Sequence, residues 1–393
     1  MFSMKKLLNI IVREGKQFIS NKPLMLIIFG GSLFFPVIIG LVYINAKPAK
    51  LPITILDYDN TQLSQNIAEA FDDNQFLKVY RITADQQQAV RDFQKVKVEA
   101  VVTIPESFEA DVQMKHHPEI QLDLNSSNIL TSNYINTGVN KTLAIINAGI
   151  QAATLQKGGM PESSAMQQFE SFRVNYNRFY NRETNYLKFL WPGVVGTVLQ
   201  QIFLMAIALM FAYEFEKNTF PDLLTRTHSA SFMIFAKSLP YFVLMMIIWM
   251  AILVFLFPVF KVEIVGSVWG IGVFSALFLL SILALGVMVS VFTRTMIMAT
   301  DVLMIIATPS FIVSGFTWPV SAMPSYMQFL ANLIPITPFL EGYRKMLLMG
   351  NSLADLMPEI RSLTIMTLVF GVIGWLSLKI RIKQYLKKRV VQQ

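Results

Sequence analysis

The 393-residue chain contains no cysteine. That absence excludes a disulfide framework, a thiol nucleophile and any cysteine-based metal site. Histidine is nearly absent too, with three in all. Two of them, His116 and His117, are adjacent. Neighbours on a helix do not share a face, and no third ligand lies near them, so the pair reads as a solvated helix end before Pro118 and not as a zinc site. His228 is the remaining one, and no nucleophile–histidine pairing of the kind a membrane hydrolase needs is visible. No G-x-x-x-x-G-K-[ST] phosphate loop occurs. The stretch "EGKQ" at 14–17 lacks both the upstream glycine and the Ser/Thr that would hold Mg²⁺. Charge is sparse as well: 15% of residues are Asp, Glu, Lys or Arg, where an average soluble domain has about 25%.

What fills the chain instead is apolar. Hydrophobic residues make up 54%, with 31 Phe and 22 Met. They gather in runs at 24–44, 189–213, 232–259, 266–292, 296–318 and 360–380. Each is long enough to cross a bilayer, which takes about 20 helical residues. The first run is too long for a signal-peptide core and lacks a small-residue cleavage site, so it reads as a retained anchor. Six spans put both ends on one side. The net charge of +8 is not a nucleic-acid signature, because it clusters beside the spans. Lys5, Lys6, Arg13, Lys16 and Lys22 precede the first, and Lys379, Arg381, Lys383, Lys387, Lys388 and Arg389 end the last or follow it. The positive-inside rule then places both tails in the cytoplasm. It also places there the loop at 214–231 and the turn Thr293-Arg294-Thr295, and puts 47–187 and the short loop with Lys261 and Glu263 outside. The expected architecture is a membrane α-helical protein of six transmembrane helices with an inserted external α/β domain. Its parts are a cytoplasmic N-terminus with span one (1–46), the external domain (47–187), the remaining spans (188–380) and a basic tail (381–393).

Within the external domain, strand and helix patterns alternate. "PITILDYD", "FLKVYRI", "VEAVVTIP" and "EIQLDLNSS" read as strands; "TQLSQNIAEAFDD", "ADQQQAVRDFQK" and "ESFEADVQMK" read as helices, the first with Thr61 as N-cap. "YINTGVNKTLAIINAGIQAATLQ" is one long helix, Gly158, Gly159 and Pro161 break it, and a second helix follows over roughly 163–188. Asp57 and Asp59 stand at a strand end, where turn and capping roles are expected and not a catalytic carboxylate pair.

Two segments resist a purely structural reading. "EFEKNTFPDLL" at 214–224 is a charged, helix-breaking interruption between two oily spans, with more polar character than a turn requires. "SGFTWPVSAMPSYMQFLANLIPITPFLEGYRKMLLMG" at 314–350 is semi-apolar and broken by Pro319, Pro324, Pro335 and Pro338. A straight spanning helix would not tolerate that density, yet topology requires the segment to start and finish outside. A re-entrant pair of short helices satisfies both, as an external lid or exit gate; the alternative is an ordinary interfacial loop. Glu341 and Arg344, three residues apart, can pair. Asp301, near the cytoplasmic start of the fifth span, is a candidate pathway residue, or a carboxylate at headgroup depth near Arg294.

These stretches, together with "FRVNYNRFYNRETNYLKFLWPGVVG" at 172–196, resemble the ABC-2 type permeases, the membrane subunits of ATP-binding-cassette exporters. The resemblance is strongest to the bacterial branch with a large domain between spans one and two, and it covers essentially the whole chain. It implies a dimer of identical or paralogous permeases, in a bacterial inner membrane, driven by an ATPase that binds ATP and Mg²⁺. With no phosphate loop here, that ATPase is expected as a separate chain. The family's first cytoplasmic loop, Glu-x-Glu-x-Gly-Thr-x-x-x-Leu, forms a coupling helix against the ATPase. Glu214, Glu216, Thr219 and Leu223 match it and Leu224 follows; Asn218 replaces the usual Gly, and Pro221 enters the helix start. Asn can adopt the left-handed geometry and Pro fits a first turn. The external gate of the family maps onto Ser314, Gly315, Pro319, Pro324, Pro335 and Arg344, with Glu341 beside them. The expected activity is export of a hydrophobic or amphipathic substrate, drug or lipid-like, with no catalysis and no cofactor in this chain. A membrane-fusion protein is a further expected partner. Two other readings stay open on sequence alone: an ion-coupled secondary transporter, and a membrane sensor or assembly anchor whose external domain binds a partner.

Overall fold

The computed structural model describes residues 4–45, 47–157, 180–181 and 184–391. The motif at 173–177 and most of the helix expected over 163–188 lie outside them. In chain order the elements are as follows. Helix α1 (Met4–Ser20) precedes span 1 (Lys22–Val42). Strand β1 (Leu51–Asp57), α2 (Gln62–Asp72), β2 (Leu77–Thr83), α3 (Gln86–Gln94), β3 (Ala100–Ile104), α4 (Phe108–Gln113), β4 (Gln121–Leu124) and α5 (Ile129–Lys157) come next. Span 2 (Tyr186–Glu216), α6 (Phe220–Arg226), span 3 (Ala230–Val259), span 4 (Val268–Phe292) and span 5 (Met296–Val313) follow. After α7 (Ser325–Ala331) and α8 (Ile336–Met349) the chain enters span 6 (Leu353–Lys387). Span 5 is shorter than its apolar run, because Ser314 and Gly315 end the helix, and the last span is longer than its run at both ends.

The chain divides into two compact units, Lys47–Asn177 and the remainder. The first is a small mixed sheet of order β2-β1-β3-β4. β1 runs parallel to both β2 and β3, and β4 is antiparallel to β3. Parallel neighbours need a crossover, and helices supply it here. Ile53, Ile55, Val102 and Ile104 on one face meet Ile67 and Phe71 of α2, Phe108 of α4, and Ile135 and Val139 of α5. On the other face Leu56 and Val101 meet Ala89 of α3. Thr61 caps α2 in a reciprocal box with Ser64. Asp57 accepts the backbone N–H groups of Asp59 and Asn60 at 3.0 Å each, and the Ser64 hydroxyl at 2.7 Å. Asp59 accepts the Thr61 hydroxyl and the Glu109 N–H. Both carboxylates therefore organise turns and helix starts.

In the second unit spans 2 and 4 are the most enclosed of the six candidate membrane spans. Their close approach has identifiable causes. Ser290 of span 4 donates to the Ala208 carbonyl at 2.7 Å and accepts from the N–H groups of Phe211 and Ala212 at 2.9 and 3.0 Å, so one hydroxyl joins the span 2 backbone ladder. A side chain at Gly286 would collide with Ile207. The Trp191-Pro192-Gly193 triplet is explained the same way. The Trp191 indole N–H donates to the Pro36 carbonyl of span 1 at 2.8 Å, and Gly193 leaves room for the Phe316 ring. Between spans 2 and 5, Gln200 donates to Ser310 at 3.2 Å. Such interhelical bonds and small-residue contacts are what hold helices together in lipid, where apolar surface alone gives no preference for protein over acyl chain.

Candidate functional site

The segment 214–224 folds as one hinge and one short helix. Span 2 ends at Glu216, and Asn218 takes φ +54, the left-handed conformation that a short polar side chain tolerates better than most. Thr219 then stands at the N-cap position of α6 with its hydroxyl turned to Glu214, and Pro221 lies in the first turn, where its missing N–H costs nothing. Phe220, Leu223 and Leu224 all point inward and are buried. Phe220 packs at a tilt on Phe215 and on Tyr385 of span 6. Lys217, Asn218, Pro221, Asp222 and Thr225 form the exposed side.

Glu214 is fully buried. Its carboxylate accepts two bonds from the Arg13 guanidinium of α1, at 2.8 and 3.0 Å, and one from Lys237 of span 3 at 2.9 Å. The Thr219 hydroxyl adds a fourth at 2.5 Å. Lys237 also reaches Glu14 of α1 at 2.5 Å, and Arg13 lies 3.5 Å from Glu14. Two cations and two carboxylates thus balance inside the protein, joining α1, the end of span 2 and the start of span 3. Burial pushes Glu14 above the usual carboxylate range, with Lys237 offsetting only part of that. Burial pulls on the Arg13 guanidinium in the opposite sense, but the hydrogen bond and charge of Glu214, reinforced by Glu14, outweigh it and hold Arg13 above its ordinary value.

Glu216 has a different anchor. Its carboxylate accepts the Met296 backbone N–H at 2.7 Å, at the first turn of span 5, where a negative charge is favoured by the unpaired N–H groups. Arg381 of span 6 donates to the carbonyls of Phe292 and Thr293 and lies over the Phe215 ring at 4.3 Å. The segment is therefore gripped by α1 and by spans 3, 5 and 6, while one side of α6 stays open.

At 314–350 each proline begins something. Pro319 precedes a 3₁₀ turn, Pro324 and Pro335 stand immediately before α7 and α8, and Pro338 occupies the first turn of α8. None interrupts a hydrogen-bond ladder, as a first-turn N–H has no helical acceptor. Gly315 takes φ +83, which only glycine adopts freely, and a side chain there would strike Val320. Ser314 donates to the Phe311 carbonyl and accepts the Phe316 N–H. Arg344 donates to the Phe316 carbonyl at 3.4 Å and stands over the Phe316 ring at 5.4 Å. The expected Glu341–Arg344 pair is not what forms. Glu341 pairs with Lys345, four residues on, at 2.9 Å, and Lys345 also binds Glu359 at 2.5 Å. The i,i+4 partner is better placed on the helix, and Arg344 is turned toward Phe316. Although burial pulls Lys345 down, its two carboxylate partners hold it above its ordinary value.

Comparison with known proteins gives the family. A family model described as ABC-2 family transporter protein matches residues 22–376. The chain belongs to the ABC-2 family. Among its relatives is the probable multidrug ABC transporter permease YbhS of Escherichia coli (strain K12), 23% identical over 385 residues, covering 97% of this chain and 98% of the relative. The inner membrane transport permease YhhJ of the same organism is 24% identical, over 92% of this chain and 93% of its own. The linearmycin resistance permease protein LnrN of Bacillus subtilis (strain 168) is 22% identical, over 90% and 94%. This ABC-2 permease is thus a multi-pass membrane protein and the membrane subunit of an ABC transporter. Membership of the family implies an ABC ATPase as partner and, usually, dimerisation.

Three residues of the ABC-2 permease organise its loop without the sequence having assigned them to it: Arg13 counted only among the basic residues before span 1, and Glu14 and Lys237 had no role. Lys237 carried a signal: a lysine inside an apolar run needs a buried partner. Asp301 lies five residues into span 5, exposed on a stripe with Ile297 and Ile305, and makes no hydrogen bond or ion pair among the described residues. His116 faces Asp111 at 3.1 Å in the other unit.

Proposed function

We propose that this chain is the permease of an ABC exporter, carrying a hydrophobic or amphipathic substrate outward across a bacterial inner membrane under the drive of a separate ATPase. The observation that carries the coupling step is the construction of 214–226. Its root is tied to α1 and to spans 3, 5 and 6, and its outer side is exposed. Such a piece is suited to receive a push from a docked ATPase and deliver it to several spans as rigid bodies. In this reading Glu214, Glu216, Leu223 and Leu224 hold the shape, Asn218 and Thr219 set the hinge, and Lys217, Pro221, Asp222 and Thr225 meet the partner. Both termini then lie in the cytoplasm, 47–187 lies outside, and 314–350 forms a re-entrant gate that Arg344 steadies through Phe316. A membrane-fusion protein is the partner we assign to the external part.

The substrate class is supported by an apolar groove of about 480 Å³ between spans 1, 2 and 5, lined by Leu26, Phe34, Val198, Met205 and Met304 with Gln201 as its polar group. Relatives named for multidrug transport and linearmycin resistance point the same way. Asp301, one turn from Met304, is our candidate for the path. An ion-coupled mechanism would need ionisable groups arranged along a path at mid-membrane, and the buried charges described in this unit are instead held in two closed sets, Glu14, Glu214 and Lys237 at the loop and Glu359 on Lys345.

The decisive experiment replaces exposed residues only. Asp222→Lys and Thr225→Trp should leave the permease folded and inserted while weakening ATPase co-purification and substrate-stimulated ATP turnover at least tenfold. Unchanged binding and turnover in both variants would remove α6 as the coupling element. Efflux that survives loss of ATP but stops when ion gradients are collapsed would remove the ABC mechanism itself.

A further inference from the structure

We propose that α1 and the start of span 1 form a binding site for one anionic phospholipid, in the leaflet on the same side as the segment 214–226. Helix α1 carries two apolar stripes. Ile10, Glu14 and Phe18, spaced by four, are buried against the protein. Leu8, Val12 and Ile19 lie on another face and are 60%, 47% and 65% exposed. A soluble surface does not leave such a stripe uncovered at the foot of a transmembrane helix, whereas an interfacial helix seats it among headgroups and acyl chains.

Beside that stripe an apolar groove of about 260 Å³ runs between α1, span 1 and span 3, with Gly15, Ile19, Met25, Phe29, Pro240 and Leu244 among its walls. Each helix that walls it carries a lysine close in sequence to a wall residue, Lys16 next to Gly15 and Lys22 one turn before Met25. Lys16 shares a face with Val12 and Ile19, at i,i+4 and i,i+3, and Lys22 shares one with Met25 and Phe29. Both lysines are exposed, and neither makes a hydrogen bond or ion pair among the described residues. The acid of α1, Glu14, is turned inward and spent on Lys237. The two helices therefore offer an apolar slot, an exposed lysine on each and no outward carboxylate from α1. A soluble anion would satisfy the lysines and leave the slot empty. A zwitterionic lipid would fill the slot and leave the lysines without a net counter-charge. An anionic phospholipid supplies both.

The site has a mechanical neighbour. Arg13 and Glu14, which fasten the root of the 214–226 segment, lie on the same helix, one and two residues from the groove wall. Lipid occupancy fixes α1 and through it that root. This consequence rests on the coupling role proposed above; the lipid site itself does not.

The test uses the full chain in nanodiscs of phosphatidylcholine with or without phosphatidylglycerol. Lipid retained after transfer to detergent is counted by native mass spectrometry. Because the chain has no cysteine, a nitroxide on Val12→Cys reports its surroundings without background. The expected result is selective retention of phosphatidylglycerol and a Val12 label relaxed by oxygen and not by aqueous nickel. Lys16→Gln with Lys22→Gln should cut the preference about 25-fold, from about fivefold per lysine near an anionic surface, and the Lys→Arg pair should restore it. Equal retention of the two lipids, an unaltered preference in the glutamine pair, or a water-exposed Val12 label would overturn the proposal. So would complete displacement of the lipid by soluble glycerol phosphate, which would mark a free-anion site. None of these readouts involves ATP turnover, so their failure would leave the coupling reading standing.

Discussion

Glu214→Ala is the perturbation that tests the buried charge network most directly. The carboxylate receives four hydrogen bonds, three of them from cations. Taken singly at about 1.5–3 kcal/mol for bonds to charged groups they would sum far too high, because the same burial costs desolvation. The better guide is the loss of one partner from a buried pair, about 3–5 kcal/mol, most of it from charge left uncompensated. Here the removal leaves Arg13 and Lys237 sharing Glu14 alone. A loss of about 4 kcal/mol is a large share of the roughly 5–15 kcal/mol that folded proteins have. At about 1.2 °C per kcal/mol, from about 2.1 cal/mol/K per residue over 393 residues, it corresponds to about 5 °C in Tm. Differential scanning fluorimetry of the detergent-solubilised protein reads it. The second half of the test is compensation. Adding Lys237→Met leaves Arg13 beside Glu14 at 3.5 Å, a balanced pair, and should recover about 2 kcal/mol of the loss. A shift below about 2 °C for Glu214→Ala, or a double variant worse than the sum of its parts, would refute the reasoning.

Three further outcomes are expected. Ser290→Val removes the hydroxyl that joins the span 2 ladder and should cost about 2–4 kcal/mol, seen as a lower Tm. Gly193→Ala should cost about 1–3 kcal/mol by driving a methyl group into the Phe316 ring, and trimming that ring with Phe316→Leu in the same protein should relieve part of it. The Glu14 carboxyl has its pKa raised above 4.5 by burial, so the folded protein takes up this proton before the unfolded chain does. Stability from this group is full below the unfolded value and is lost as pH rises through the folded one. The difference in stability between wild type and Glu14→Gln should therefore fall as pH rises from about 4.5 and level off once Glu14 is ionised, measured as Tm across pH in one buffer series.

Some features were legible because their causes are local. The spans follow from apolar run length. The strands and helices described over 47–157 follow from periodicity and from caps such as Thr61. Asn218 in the left-handed conformation and a helix start at Thr219-Phe220-Pro221 follow from what those residues tolerate. What was not legible depends on distance along the chain. In the sequence Glu214 is one of two acids matching the loop pattern, but Arg13 lies 201 residues away and Lys237 lies 23 away. Nothing in the local pattern says that an apolar core will close around three such groups. Glu216 looked equivalent to Glu214 and has a separate task at Met296, decided by where span 5 begins. Glu341 and Arg344 illustrate a near miss of the same kind. Their spacing allows a pair, and tertiary partners, Phe316 for one and the Lys345–Glu359 contact for the other, decide against it.

The way the loop is fastened also limits how such permeases can be recombined. A chimera that receives only a foreign 214–226 segment, to accept a different motor, would insert an acid into a pocket whose cations belong to the host. The transferable module is discontinuous: the loop, Arg13 and Glu14 from α1, Lys237 from span 3, and the Met296 end of span 5. Moving them as a set would be the minimal graft, and a permease library built by exchanging contiguous cassettes would discard many combinations for reasons unrelated to the substrate.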